Sequence, residues 1–177
     1  LVQIPALGCN AQLYAGIAPA LSQHLDITTH IPTANRYDAM VKDLLDAAPD
    51  TFVLLGTSMG ARLALETTLA APARVKGLIM IGSSANPVAD PASGLKRSTR
   101  IRGNEFEQVL DEMGDMIAHK EGPNGPATIA AFKSMSREVG TETMANQSDA
   151  LAYRTDLWPR LKEIKCPTLF LWGREDQ

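Results

Sequence analysis

Ser58 lies in the stretch TFVLLGTSMGARLALE, Thr51 to Glu66, flanked two residues away on each side by Gly56 and Gly60. A serine held between an apolar strand and a helix that starts at once has the setting of an activated nucleophile. A turn that tight forces an unfavourable backbone conformation on the serine. The residues two positions away then come so close that side chains would clash, so glycine is needed at both. The hydroxyl is raised above the sheet, and the helix N-terminus directs its free N–H groups and positive dipole end at the same point.

The other reactive side chains carry less. Cys9 and Cys166 form neither a disulfide framework nor a metal spacing. No base is placed for Cys9, which reads as a small packed thiol. His24 sits near a helix end and reads as a surface residue, and His30 belongs to a strand that stops at Pro32. His119 follows an apolar helical stripe, where a cation suits a helix C-terminus.

These residues need elements to position them, and the pattern alternates strand and helix. LVQIP (1–5) is an apolar run ended by Pro5, followed by the turn-rich ALGCN. Residues 11–25 carry helical spacing with a kink or restart at Pro19, and DITTHI (26–31) reads as a strand. RYDAMVKDLLDAA (36–48) places Met40, Val41, Leu44 and Leu45 on one helical face. TFVLLG (51–56) and KGLIMIG (76–82) are continuous apolar strands of the kind buried on both faces, with the helix 59–71 between them. Short strands joined by helices of this length predict right-handed crossovers and a parallel sheet.

From about Ser83 to Trp158 the strands cease. SSANPVADPAS (83–93) reads as a loop, and the basic run LKRSTRIR (95–102) as a solvated loop or salt-bridged face, with anion binding a lesser alternative. Residues 105–120 put Phe106, Val109, Leu110, Met113, Met116 and Ile117 on one helical stripe. Further helices are expected around 127–138 and 141–154, and CPTLFLWG (166–173) returns to a buried strand. The expected organisation is therefore a core from 1–85 and 158–177, with a helical lid, 86–157, inserted between two strands of one sheet.

Composition narrows the classes. The 177 residues are 45% hydrophobic and 21% charged with a net charge of −3, which fits a globular domain and gives no electrostatic footprint for nucleic acid. No apolar run reaches the ~18 residues of a membrane span. Together with the cysteine usage, this predicts a reduced, cytoplasmic protein. The sequence opens at Leu1, already inside a strand and without an initiator Met, which predicts an upstream segment.

Three segments together resemble the α/β-hydrolase fold family: IPALGCN (4–10), LLGTSMGARLALE (54–66) and IKCPTLFLWGREDQ (164–177). The run YRTDLWPRLKEIKCPTLFLWG (153–173) is similar to small-lid bacterial hydrolases of esterase type. The resemblance implies Ser58 as nucleophile and Asp176, in the G-x-x-D after the last strand, as the acid. It implies an oxyanion hole from the backbone N–H groups of Met59 and Leu7, although Pro5-Ala6 stands where the family carries His-Gly. The family's order is Ser, acid, His, and all three histidines precede Asp176. The base is accordingly expected C-terminal to residue 177, and none of His24, His30 or His119 fits the role.

The resulting expectation is a serine hydrolase that cleaves a carboxylic ester-type bond through an acyl-enzyme. Its substrate would be a small apolar ester or related acyl compound. The reading calls for no metal, no cofactor and no nucleic-acid or membrane partner. The methionines 113, 116, 135 and 144 are compatible with an apolar acyl pocket, and for Met113 and Met116 packing is the simpler role. Two alternatives stand beside it: a C–C bond hydrolase or cofactor-free haloperoxidase of the same fold, and a non-catalytic ligand binder or inactive fragment.

Overall fold

The computed structural model describes residues 1–174; Glu175, Asp176 and Gln177 lie outside the described residues. Five strands form one parallel sheet: β1 (Val2–Ile4), β2 (Thr28–Thr29), β3 (Phe52–Thr57), β4 (Val75–Ile81) and β5 (Thr168–Leu171). Their order across the sheet is β2-β1-β3-β4-β5. The winding therefore reverses between β1 and β3, whose C-terminal ends lie side by side with Ile4 opposite Gly56. In an open parallel sheet that reversal leaves a crevice at the strand ends, the usual place for a ligand.

Helices flank the sheet because the connections need them. The first connection is shorter than its periodicity suggests: a 3-10 turn (Ala11–Tyr14) and a four-residue α1 (Ala18–Leu21), restarted with Pro19 in its first turn. Proline fixes φ and lacks an N–H, so it opens the new helix and cannot continue the old one. The strand expected over 26–31 shrinks to the two residues of β2 at the sheet edge. α2 (Tyr37–Ala47) buries Met40, Val41 and Leu44, and α3 (Met59–Ala70) is buried along nearly its whole length.

Between β4 and β5 the chain forms α4 (Pro91–Arg102), α5 (Phe106–Ile117), α6 (Gly125–Val139) and α7 (Thr141–Ala152). The loop expected over 83–93 holds as far as Asp90, and α4 takes its last three residues together with the basic run 95–102. Asp90 caps it by accepting from Ala92 N–H at 3.0 Å, and Pro91 occupies the first turn. It buries Gly94, Ser98 and Ile101, of which only Ile101 registers in a hydrophobic period. A Cβ on Gly94 would lie 2.9 Å from Ser148 O, so the missing side chain lets α4 and α7 pack closely.

The basic run resolves into the salt-bridged alternative. Arg100 forks onto both Glu112 oxygens at 2.7 Å and reaches Glu105 at 2.8 Å, while Arg102 meets Asp149 at 3.0 Å and Glu142 at 3.4 Å. These pairs tie α4 to α5 and α7, although exposed pairs of this kind contribute little stability individually.

Two burial expectations fail. Met116 and Ile117 end the α5 stripe in solvent, at 71% and 50% exposure, while Val109, Leu110 and Met113 are buried. All four residues of β5 are exposed rather than buried. A strand apolar in three of its four residues has the composition of an interior strand, but among the described residues β5 pairs on one side only, with β4.

Candidate active site

Ser58 is the hinge between β3 and α3 and adopts φ 53°, ψ −114°, a conformation that favours glycine. Three contacts hold it there. Its N–H donates to Ile81 O at the end of β4 at 2.8 Å, and its carbonyl starts the helix by accepting from Arg62 N–H at 3.1 Å. The preceding Thr57 Oγ1 lies 2.9 Å from the Tyr14 hydroxyl, which donates to Ile4 O at 2.8 Å. Since the phenol spends its one proton on Ile4, Thr57 is the donor in the second bond. Burial pushes the Tyr14 phenol up to about 12, so that proton stays in place.

The two glycines are required for different reasons. A Cβ on Gly56 would lie 2.4 Å from Gly60 O and 2.5 Å from Ala61 Cα, so this glycine closes the turn itself. A Cβ on Gly60 would lie 2.1 Å from Ile4 O and 2.5 Å from Pro5 O. The second glycine thus admits the loop after β1 against the first turn of α3, which brings Leu7 to the same end of the sheet as Ser58.

Ser58 itself is exposed, whereas Leu7 and Met59 are buried at 6% and 1%. Among the described residues, no acceptor takes the N–H of Leu7 or of Met59. Cys9 N–H closes the loop onto Ala6 O at 2.9 Å, with Gly8 at φ 70°. Burial pushes the Cys9 thiol up to about 12, so it is a packed neutral group and no competing nucleophile.

Asp176 lies outside the described residues, and so does its neighbour Glu175. His24 and His119 are exposed, and no hydrogen bond joins any histidine to Ser58 among the described residues. His30 is half-buried beside β2, with Nε2 buried and without a partner among the described residues. Burial lowers its pKa from the ordinary 6.5, against a smaller opposing pull from Asp43. The folded state thus prefers neutral imidazole. Its contribution to stability is complete above about 6.5, the unfolded value, and is lost as pH falls through the lower folded value. Urea denaturation from pH 7.5 to 5 should show that decline, and His30→Asn should make it shallower; parallel curves would remove His30 as the cause.

Sequence reasoning missed Arg62. It is fully buried on α3, where it pairs with Glu66 at 2.7 Å and donates to Ala85 O (3.3 Å), Asn86 O (3.1 Å) and Thr155 O (2.6 Å). It thereby joins the elbow helix to the chain entering and leaving the helical insertion. The available signal was a lone cation inside the apolar stretch MGARLALE. Two cavities of about 190 and 210 Å³ flank Arg97 on α4, and neither is lined by Ser58, Leu7 or Met59.

Comparison with known proteins agrees with this architecture. The family model described as alpha/beta hydrolase fold matches residues 28–177. The 2-hydroxy-6-oxononadienedioate/2-hydroxy-6-oxononatrienedioate hydrolase 1 of Dechloromonas aromatica is 31% identical, over 77% of this chain and 50% of the relative. The corresponding Escherichia coli hydrolase is also 31% identical, over 77% of this chain and 49% of its own. The chain spans about half the length of these curated relatives. Among solved structures, a thermophilic esterase from Thermogutta terrifontis superposes with a TM-score of 0.85 at 20% identity, covering 98% of this chain and 70% of that one. The enol-lactonase from Burkholderia xenovorans gives 0.80 at 18% identity, covering 98% and 72%. At such identities the likeness speaks for the fold.

Proposed function

The chain belongs to the alpha/beta hydrolase fold family, and on that premise we propose that it is a serine hydrolase in which Ser58 attacks the carbonyl carbon of a carboxylic ester-type substrate. The observation that carries this reading is the strained, exposed Ser58 at the sheet's reversal point; it is supported by the N–H groups of Met59, the next residue, and of Leu7, in the loop after β1, which have no acceptor among the described residues. As Oγ bonds to the carbonyl carbon, its proton passes to a base and the carbonyl oxygen becomes an oxyanion. The amides of Met59 and Leu7 stabilise that charge, a contribution of ~10²–10³ in turnover per donor in comparable sites. Collapse of the intermediate expels the alcohol, which takes the proton back, and leaves an acyl-enzyme that water hydrolyses by the same steps.

In this reading Asp176 orients the base and steadies its positive charge, and the base is a histidine C-terminal to residue 177. The insertion of α4–α7 acts as a lid over the crevice at the strand ends. The substrate is a small-molecule apolar acyl compound, and the protein works in the cytoplasm. No helix among the described residues is long and apolar enough to cross a membrane.

A second reading is favoured by the printed names of the curated relatives. A 2-hydroxy-6-oxo dienedioate contains no ester, so its hydrolysis breaks a carbon–carbon bond next to a ketone. The same nucleophile and amide pair would serve there, with a carbon leaving group that must be protonated. An experiment separates the two. A fluorophosphonate probe should label the full-length protein at Ser58 and leave Ser58→Ala unlabelled; equal labelling would remove the nucleophile. Short p-nitrophenyl esters released with a burst support acyl transfer, whereas cleavage confined to a vinylogous 1,5-diketone supports the second reading.

A further inference from the structure

Gly8, the residue after Leu7, has both of its backbone polar groups taken by side chains from the helical insertion. Its N–H donates to Gln147 Oε1 on α7 at 2.9 Å, and its carbonyl accepts from Ser136 Oγ on α6 at 3.0 Å. Gln147 in turn donates through Nε2 to Pro32 O at 2.8 Å, in the segment after β2. Gln147 and Ser136 are both fully buried. The amide orientation is dictated by its partners, since Gly8 N–H requires an acceptor and Pro32 O requires a donor.

Gly8 is itself shaped for this contact. It sits at φ 70°, and a Cβ there would lie 2.6 Å from Ser136 Oγ and 3.3 Å from Met144 Sδ. The rim of the same contact is polar: Glu138 on α6 accepts from Asn10 at 2.7 Å and from Gln12 at 3.2 Å. The peptide between Leu7 and Gly8 is thus gripped on its C-terminal side, while Leu7 N–H is left without an acceptor among the described residues.

We propose that Gln147, assisted by Ser136, is a positioning residue that fixes the Leu7 amide for the oxyanion, so that the helical insertion helps to build the site it covers. This rests on the reading of Leu7 as an oxyanion donor. Satisfying Gly8 N–H within the protein has a second effect. It removes the neighbouring amide as a competing donor, while Leu7 N–H keeps no acceptor among the described residues. A loop released from this clamp would still bind substrate, because the donors tighten on charge that develops only in the transition state. The expected signature is therefore a loss in kcat with KM preserved.

The test uses the full-length protein and a p-nitrophenyl ester, with Gln147→Met, which keeps the length of the side chain and removes both hydrogen bonds. Turnover should fall 10- to 100-fold with KM within about two-fold. Hydrogen exchange over residues 5–12 should quicken while β3 and α3 stay protected. An unchanged kcat, or a loss confined to KM, overturns the proposal. Should Gln147→Met fail to fold, Ser136→Ala decides, with a several-fold loss of kcat expected and wild-type kcat overturning it. If Ser58→Ala turns over as fast as wild type, the hydrolase reading falls instead. The exchange measurement then still tells whether Gln147 holds the loop, and unaltered exchange there would overturn the clamp on its own.

Discussion

Ser58→Gly should abolish turnover and, at the same time, make the protein more stable. Ser58 adopts φ 53°, ψ −114°, where a Cβ is strained and glycine is at ease. Strain of this kind costs on the order of 1–3 kcal/mol, and relief of part of it outweighs the extra freedom glycine has when unfolded. A gain of about 1 kcal/mol is expected, a rise of a few degrees in melting temperature for a chain of this size. Ser58→Ala removes the hydroxyl but keeps the Cβ, so it should lose activity to the same extent, ~10⁴-fold or more, without the gain in stability. Calorimetry of the two variants against wild type checks the pair. Equal melting temperatures for the glycine and alanine variants would mean that the turn stores no strain, and the argument for a chain bent to present this hydroxyl would lose its physical basis.

The second large effect belongs to Arg62, which has no part in the proposed chemistry. Arg62→Met should cost about 3–5 kcal/mol. The guanidinium is fully buried, pairs with Glu66 at 2.7 Å, donates to three carbonyls and lies 5.8 Å from the centre of the Tyr37 ring. Methionine restores most of the volume but leaves Glu66 without its cation, with the carbonyls of Ala85, Asn86 and Thr155 deprived of a donor. Arg62→Lys should recover only part of the loss, since one ammonium cannot reach three carbonyls and a carboxylate as a planar fork does. Urea denaturation measures both. A cost below about 1 kcal/mol for the methionine variant would show that the chain around Ala85 and Thr155 is held by packing alone.

How much of this was legible beforehand varies by element, and the reason is physical. The central strands and α3 are readable because the strands are mostly apolar and α3 carries apolar residues through most of its turns, and G-x-S-x-G is readable because a tight turn demands its residue types locally. α4 is not, since its buried face is made of Gly94, Ser98 and Ile101 and its helical signal lies in the Asp90-Pro91 cap. β5 reads as buried but is exposed, because apolar composition reports what a strand can bury and says nothing of its neighbours, of which β5 has β4 alone among the described residues.

By itself, then, the sequence determined the alternation of strand and helix, the parallel sheet and the serine between its glycines, because each follows from short-range sterics and hydrophobic period. Only the tertiary structure decided what stands around that serine. The approach of Pro5 to Gly60, the clamp of Gln147 and Ser136 on Gly8 and the buried fork of Arg62 join residues far apart in the chain. Such contacts leave no period and no motif, since any polar residue of suitable length would look the same until the fold brings its partner within 3 Å.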